Sequence, residues 1–439
     1  MNYEMTKIGI VSRGFENGSA VNDAECRCVL ALVPPDKNGQ KSARASFLVE
    51  ELQALNERGV KIHTVSSHLK RPRKIDGVTV HPIPRTRNLV HTVKAVAAYY
   101  RGGHREFLFS KTVAEQIRHA RYQLAISRVI RDERIDVVYS PFAWPAGTAG
   151  IVAARSVGVP VIVSLRGVDV LAEPSINYGL TLNSNFRSRI SRVLSLADQV
   201  VGVSRAIAER AIALGAPSDR VSVVLKGVDE VQFSPGDASL TRRRLGLADR
   251  PTVLFVGNLN PCKGLSCLLD AYETIRRQQP EVQLVICGRG PEEAKLKARL
   301  HAASLDSHVQ FVGQIERPKI PDYFRACDVL VLPSLAEGSG NVLLEAAASG
   351  KPLVGSNVNG IPDYIDHGET GFLFEKENPT DLAAKLLEIL GDRNLAARMG
   401  QAARARVERE FRYDQMIDNL LAVFEEVIAA HRTSYGQLK

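Results

Sequence analysis

Several things are scarce in this chain, and each scarcity excludes a class of protein. Cysteine numbers six in 439 residues, too few to staple a secreted scaffold. Cys26 and Cys28 form a CxC, the other four are scattered, and no CxxC occurs. Reduced, buried thiols are therefore expected rather than a structural zinc site. No apolar run reaches the roughly 18 residues of a membrane span. The opening Met1-Asn2-Tyr3-Glu4 lacks the basic-then-apolar pattern of an export signal, so a cytoplasmic location is expected. The ten histidines show no metal-ligand spacing such as HExxH, and no Walker A or GxSxG motif occurs. Kinase, ATPase and serine hydrolase readings drop out.

Positive charge, in contrast, is plentiful. Lys and Arg outnumber Asp and Glu by 57 to 48, a formal net charge of +9. Such a surplus points to an anionic partner. Nucleic acid is not expected, because zinc-finger spacing, an aromatic RNA-binding signature and a long basic tail are all missing. The surplus is concentrated between Lys70 and Arg134, where fifteen basic residues face five acidic ones. Leu89, Val93, Val96, Tyr99, Tyr100, Phe107 and Phe109 are interleaved with them. A solvated basic helix face is the plainer reading. Peripheral contact with an anionic membrane, on its inner face, is the sharper one.

Hydrophobic residues make up 45% and charged residues 24%, an ordinary globular mix, and the length suits two or three domains. Short apolar strands alternate with helical stretches, the pattern of α/β parallel sheets. Strands are expected at 27–33, 60–66, 78–83, 137–139, 161–165, 199–203 and 221–225, with a further candidate at 7–11. Helices are expected at 43–58, through most of 89–132, and at 147–156, 190–197 and 205–214. The turn-rich Phe233-Ser234-Pro235-Gly236-Asp237 then opens a second series. Its strands are expected at 253–256, 282–287, 309–312, 329–332, 353–355 and 371–373. Helices lie between them, and a long helical region ends the chain. Two open sheets facing each other leave a cleft, a common place for ligands.

The most informative stretch runs from Pro333 to Ala346, P-S-L-A-E-G-S-G-N-V-L-L-E-A. A strand ends in a Pro-Ser loop, and two glycines precede a helix. Small residues there let backbone N–H groups approach an anion at the helix N-terminus. Glu337 and Glu345 stand eight residues apart, on the order of 10 Å along a helix. That is too far to share a metal or to form one acid/base pair. It suits two hydroxyl-bearing rings flanking a diphosphate, the layout of a nucleotide sugar. A solvated Glu and a capping Glu would be the better explanation of the pair if it stood alone.

It does not stand alone. The run E-G-S-G-N-V-L-L-E-A-A-A-S-G-K-P-L-V, the following N-G-I-P-D-Y-I-D-H-G-E-T-G-F-L-F, V-G-N-L-N-P-C-K-G at 256–264 and C-D-V-L-V-L-P-S at 327–334 closely resemble the donor half of one family. It is that of the retaining, GT-B-fold glycosyltransferases of family 4, the group 1 glycosyltransferases. A-D-Q-V-V-G-V-S at 197–204 and V-L-K-G-V-D at 224–229 match more loosely. The resemblance covers most of residues 27–412. It implies two Rossmann-like domains facing a cleft: an acceptor domain over 1–229, a nucleotide-sugar domain over 230–411, and a helical region over 412–439 crossing back. It implies that Glu337 contacts the donor sugar near the reacting centre and that Glu345 binds the ribose hydroxyls. Gly338, Ser339, Gly340, Asn341 and Val342 would meet sugar and diphosphate, and Lys263 would neutralise the diphosphate. The chemistry agrees, since a leaving nucleoside diphosphate gains negative charge that a fixed cation and a helix dipole stabilise. Gly257, Asn258, Gly288, Arg289, Gly313 and Gln314 would line the nucleotide side.

Two positions depart from the family. Asn258 stands where an Arg is usual, and Arg166 stands where a His-Gly-x-Asp motif has its His. Arg cannot accept a proton at neutral pH. If it faces the cleft, Arg166 is therefore expected to be an electrostatic clamp on sugar or phosphate and not a base, partly replacing the cation lost at Asn258. No Asp-x-Asp is present to carry a metal–diphosphate site. No metal and no cofactor are expected, because Lys263 and the helix dipole do that work. The expected reaction moves a sugar from a UDP- or GDP-linked donor to a hydroxyl of a glycan, lipid-linked or small-molecule acceptor. Bacterial polysaccharide, lipopolysaccharide or glycolipid biosynthesis is the expected setting. A nucleotide-sugar epimerase or hydrolase on the same fold, and a non-catalytic sugar-nucleotide-binding subunit, are the alternatives.

Overall fold

The computed structural model describes residues 26–30, 46–66, 71–83 and 113–436. The expected strand at 7–11 and the part of the basic stretch between 84 and 112 lie outside the described residues. Two successive sheets organise the chain. The first has eight strands: β1 (Arg27–Leu30), β2 (Lys61–Ser66), β3 (Arg73–Ile75), β4 (Val78–Pro82), β5 (Val137–Pro141), β6 (Val161–Leu165), β7 (Gln199–Gly202) and β8 (Val221–Val223). Their order is β3-β4-β2-β1-β5-β6-β7-β8. Every pairing is parallel except β3 with β4.

Parallel sheets need both faces covered, and every residue of β5 and β6 is buried. The two-residue period of a strand sorts side chains between the covers. Ile62 of β2 and Val78 of β4 join one core with Leu48, Leu52 and Leu55 of the helix Ser46–Glu57. Val65 and Ile83 join the opposite core, beneath the helix Val113–Asp132.

The second sheet contains β9 (Thr252–Val256), β10 (Gln283–Cys287), β11 (Val309–Gly313), β12 (Val329–Leu332), β13 (Leu353–Ser356) and β14 (Gly371–Phe374). Its order is β11-β10-β9-β12-β13-β14, all parallel. This is the doubly wound pattern, in which ligands bind beyond the carboxyl ends of the strands. The last helix, Tyr413–Gly436, leaves this sheet and packs on the first. Met416, Ile417, Leu420, Val423 and Phe424 bury against the core that holds Val137 and Tyr139. The two connections meet where the Val228 N–H donates to the Phe411 carbonyl at 2.9 Å and the Tyr413 N–H to the Val228 carbonyl at 3.0 Å. Among the described residues, no helix is long and apolar enough to cross a membrane.

Candidate active site

The loops after β9, β10 and β11 lie side by side at the carboxyl edge of the second sheet. The Gly288 N–H donates to the Gly313 carbonyl at 2.8 Å, and the Gly257 N–H to the Cys287 carbonyl at 2.9 Å. The Leu259 N–H donates to the Arg289 carbonyl at 2.9 Å, which joins the Asn258 loop to the Arg289 loop. Arg289 and Gln314 line a cavity of about 370 Å³ together with Ile315 and Glu316. Asn258 is exposed. The nucleotide-side residues named from sequence are thus brought together here.

Lys263 lies in a single 3₁₀ turn, Pro261–Lys263, ended by Gly264 at φ 63°. A Cβ on Gly264 would sit 1.9 Å from the Pro333 carbonyl oxygen. Glycine therefore lets this turn press onto the loop that follows β12. The contact brings Lys263 Nζ to the Glu337 carboxylate, which also accepts a hydrogen bond from Ser334 Oγ at 3.2 Å. Burial works against the lysine's charge, but the Glu337 carboxylate outweighs it and lifts the Lys263 pKa above its ordinary value. The Asn359 side chain accepts from the Glu337 amide at 3.3 Å. The next residue, Gly338, touches the first domain: a Cβ there would lie 2.2 Å from the Arg166 carbonyl oxygen. The Lys263–Glu337 pair therefore sits beside the point where the two domains meet.

Gly340 then caps the helix Asn341–Ala348, with Ser339 Oγ donating to Asn341 Oδ1 at 3.0 Å. One turn further on, Glu345 is buried and faces a cavity of about 400 Å³ between the domains. Glu50, Glu51 and Lys226 line it from the first domain, and Arg317 and Asn341 from the second. Arg317 forks across it, with Nε 2.7 Å and Nη2 2.9 Å from the two Glu50 oxygens, and Nη1 3.4 Å from Glu345. Burial pushes the Glu345 carboxyl up to about 7, with Arg317 opposing the rise and Glu50 adding to it. A carboxylate titrating near neutrality in a cleft is the behaviour expected of a ligand-binding group.

Arg166 is a correction. Its guanidinium does not form a clamp in the donor site: Nη2 donates to Glu51 Oε1 at 2.6 Å and to the Tyr139 hydroxyl oxygen at 3.1 Å, with 6% of the side chain exposed. Lys226 Nζ donates to the other Glu51 oxygen at 2.9 Å. Burial would raise the Glu51 pKa, but Arg166 and Lys226 hold it well below the ordinary carboxylate range. Arg166 thus serves a buried carboxylate and does not stand in for the cation missing at Asn258. Asp169, three residues on, is fully buried, and its carboxylate accepts from the amides of Ala143 at 2.9 Å, Gly167 at 3.2 Å and Arg166 at 3.4 Å. In R-G-V-D the aspartate shapes the loop that Gly338 rests on. Glu50, Glu51 and Arg317 escaped the sequence reading, because nothing near them in the chain marks them as cleft residues.

Comparison with known proteins bears on the family and the fold. Residues 238–406 match the family model described as glycosyl transferases group 1, and residues 42–227 match a glycosyl transferase 4-like domain. A D-inositol 3-phosphate glycosyltransferase of Acidothermus cellulolyticus is 30% identical over 319 residues, 69% of either chain. A GDP-mannose-dependent alpha-(1-6)-phosphatidylinositol monomannoside mannosyltransferase of Mycobacterium tuberculosis is 30% identical over 67% of this chain and 76% of its own. Among solved structures, sucrose-phosphate synthase from Thermosynechococcus elongatus superposes with a TM-score of 0.73 at 19% identity, over 92% of this chain and 100% of that one. Anabaena HepE in complex with UDP and glucose gives 0.70 at 19% identity, with the same coverage. At that identity the structures speak for the fold, which is GT-B. With matched segments spanning both sheets and relatives at this identity and coverage, the chain belongs to the group 1 glycosyltransferases.

Proposed function

We propose that this glycosyltransferase moves a sugar from a UDP- or GDP-linked donor to an acceptor hydroxyl, with retention of anomeric configuration and without a metal ion. The observation that carries the reading is the Lys263–Glu337 pair. It sits beside the N-terminus of a helix whose buried Glu345 opens on the interdomain cavity. In this reading Lys263 and the 339–342 amides bind the diphosphate, Glu345 accepts from the ribose hydroxyls, and Glu337 contacts the sugar. The leaving phosphate takes the acceptor proton, and closure of the cleft excludes water that would hydrolyse the donor. The acceptor, a glycan, a lipid-linked glycan or a small molecule, lies against the first sheet. The setting is polysaccharide, lipopolysaccharide or glycolipid synthesis. Relatives named for D-inositol 3-phosphate and for a phosphatidylinositol mannoside make a phosphate-bearing acceptor the first to try.

The test is nucleotide release from UDP-, GDP- and ADP-sugars in EDTA, with Glu337→Ala as control and product anomers read by NMR. A transferred sugar of unchanged anomeric configuration supports the reading. A strict metal requirement, an inverted product, or free epimerised sugar without an acceptor overturns it.

The donor step is expected to depend on pH through Glu345. Ionised, it accepts two hydroxyl hydrogen bonds; protonated, it has lost the charge that strengthens them. With a pKa of about 7 in the free chain, the ionised fraction falls about tenfold between pH 8 and pH 6. Donor KM should rise by a similar factor as pH falls, and Glu345→Gln should raise KM and flatten the profile. A wild-type KM that stays constant over this range would remove Glu345 from donor binding.

Peripheral membrane contact belongs to the same reading. Arg71, Arg73, Lys74, Arg128, Arg131 and Arg134 are all exposed on the first domain. Pelleting with vesicles rich in anionic lipid should fall with salt, and should fall again when Arg71, Arg73 and Lys74 are changed to Glu. Equal pelleting with neutral vesicles would reject an electrostatic surface.

A further inference from the structure

We propose that His63, His81 and Glu133 form a binding site for a zinc-type divalent metal ion in the first domain, separate from the donor cleft. None of the three lines either cavity at the cleft. The ion would have no part in the transfer step, and the metal-free reading of that step is unaffected.

Odd-numbered residues of β2 and β4 face the helix Val113–Asp132, where Val65 and Ile83 enter the core. His63 and His81 occupy the same face, beside Val65 and Thr79. The register pairs His63 with Thr79, and Val65 with His81, so the two imidazoles are diagonal neighbours on adjacent strands. His63 is 7% exposed. Glu133 directly follows the helix that covers this face, and it is half-buried.

The atoms are arranged to be joined. His63 Nδ1 lies 3.0 Å from His81 Nε2, and one ring nitrogen of each histidine and one Glu133 oxygen all lie within 4.8 Å of one another. The ring centroids are 5.3 Å apart and the planes within 18°, so the rings lie nearly in line, nitrogen towards nitrogen. Two imidazole nitrogens bound to one zinc ion at about 2.05 Å stand about 3.3 Å apart at the tetrahedral angle. The nitrogens therefore need to part by only about 0.3 Å, while each ring turns by about 35° to aim its lone pair at a common point and the carboxylate swings in. Two imidazoles and one carboxylate suit zinc, and the nitrogen donors disfavour magnesium and calcium. A fourth position would be left for water. The competing arrangement is a plain N–H···N hydrogen bond between the rings, with the carboxylate alongside. A bound ion would tie two strands to the end of a helix that share no local sequence motif.

The experiment uses the full chain, stripped with EDTA and dialysed, then titrated with zinc by calorimetry and with cobalt(II) by visible spectroscopy. One equivalent should bind, the melting temperature should rise with zinc, and cobalt should give the d–d bands of a low-coordinate site. His81→Asn and Glu133→Gln should each weaken zinc binding by about 100-fold or more, since changes even outside the coordinating shell cost 10–100-fold. Glu133→Gln keeps side-chain volume at a half-buried helix end, and unchanged nucleotide affinity of that variant reports that it is folded. Absence of stoichiometric zinc binding, or zinc affinity unchanged in both variants, overturns the proposal and leaves a hydrogen-bonded histidine pair.

Discussion

Lys263→Ala is expected to lower kcat by about 10²- to 10³-fold, the usual cost of removing one preorganised group that stabilises developing charge. The loss should fall mainly on kcat, because the diphosphate gains its charge as the glycosidic bond breaks and only contacts stronger in the transition state change the rate. The geometry favours a large effect. Lys263 is held in place by the Glu337 carboxylate, by the 3₁₀ turn and by the close approach of Gly264 to Pro333. It therefore need not be immobilised when the donor arrives. Removing it also strips Glu337 of the cation beside it, which should turn that carboxylate against a diphosphate. Lys263→Arg keeps the charge but not the compact ammonium, and should recover part of the rate. Steady-state kinetics with both variants, followed as nucleotide release, would check this. A Lys263→Ala enzyme with wild-type kcat would mean that the diphosphate is neutralised elsewhere.

Much of the second domain was legible in the sequence because its signals are local. The strand expected at 282–287 is β10, Gln283–Cys287, and the helix expected between the strands at 253–256 and 282–287 is Leu265–Gln278. The helix Ala238–Leu245 was missed although its markers are present: the Asp237 side chain accepts from the Leu240 amide, and Gly246 closes the helix in the left-handed region. Three consecutive arginines with few apolar residues hid its periodicity. β3 was missed because it is three exposed residues on a sheet edge, with no alternation to read. The helix Ser184–Leu196 was read only from residue 190, because its first turn is polar and is held by the Asn183 cap. The candidate site was open to the same local reading, since Glu337 through Glu345 is one continuous stretch of sequence. Arg166 was misplaced because its partners are 27 and 115 residues away. No spacing rule connects a residue on one βα unit with a helix two crossovers earlier.

That hidden cluster carries the second large expectation. Glu51→Ala is expected to destabilise the first domain by about 3–5 kcal/mol, the cost of leaving buried charge without its counter-ion. Glu51 is 2% exposed, and it receives Arg166 Nη2, the Tyr139 hydroxyl and Lys226 Nζ. Without it, Arg166 and Lys226 face each other in a low-dielectric site. Burial and the Arg166 charge already hold the Lys226 pKa down to about 8. Tyr139→Phe removes one neutral donor and should cost only about 1 kcal/mol. The pH dependence distinguishes this ionic role from simple packing. The folded pKa of Glu51 lies below its ordinary value of 4.5. Its contribution is therefore fully present above that value and is lost as pH falls through the folded one. The stability gap between wild type and Glu51→Ala should be constant near neutrality and narrow in acid, measured by urea unfolding at several pH values. A gap that keeps its size down to the acid limit would make Glu51 a packing residue. The consequence reaches the cleft. The Lys226 amide donates to the Tyr364 hydroxyl at 3.0 Å, and that hydroxyl donates to the Val203 carbonyl at 3.0 Å, across the two domains. Loosening Lys226 should therefore disturb how the domains seat around Glu345, and Glu51→Ala should raise donor KM even at temperatures where the chain remains folded.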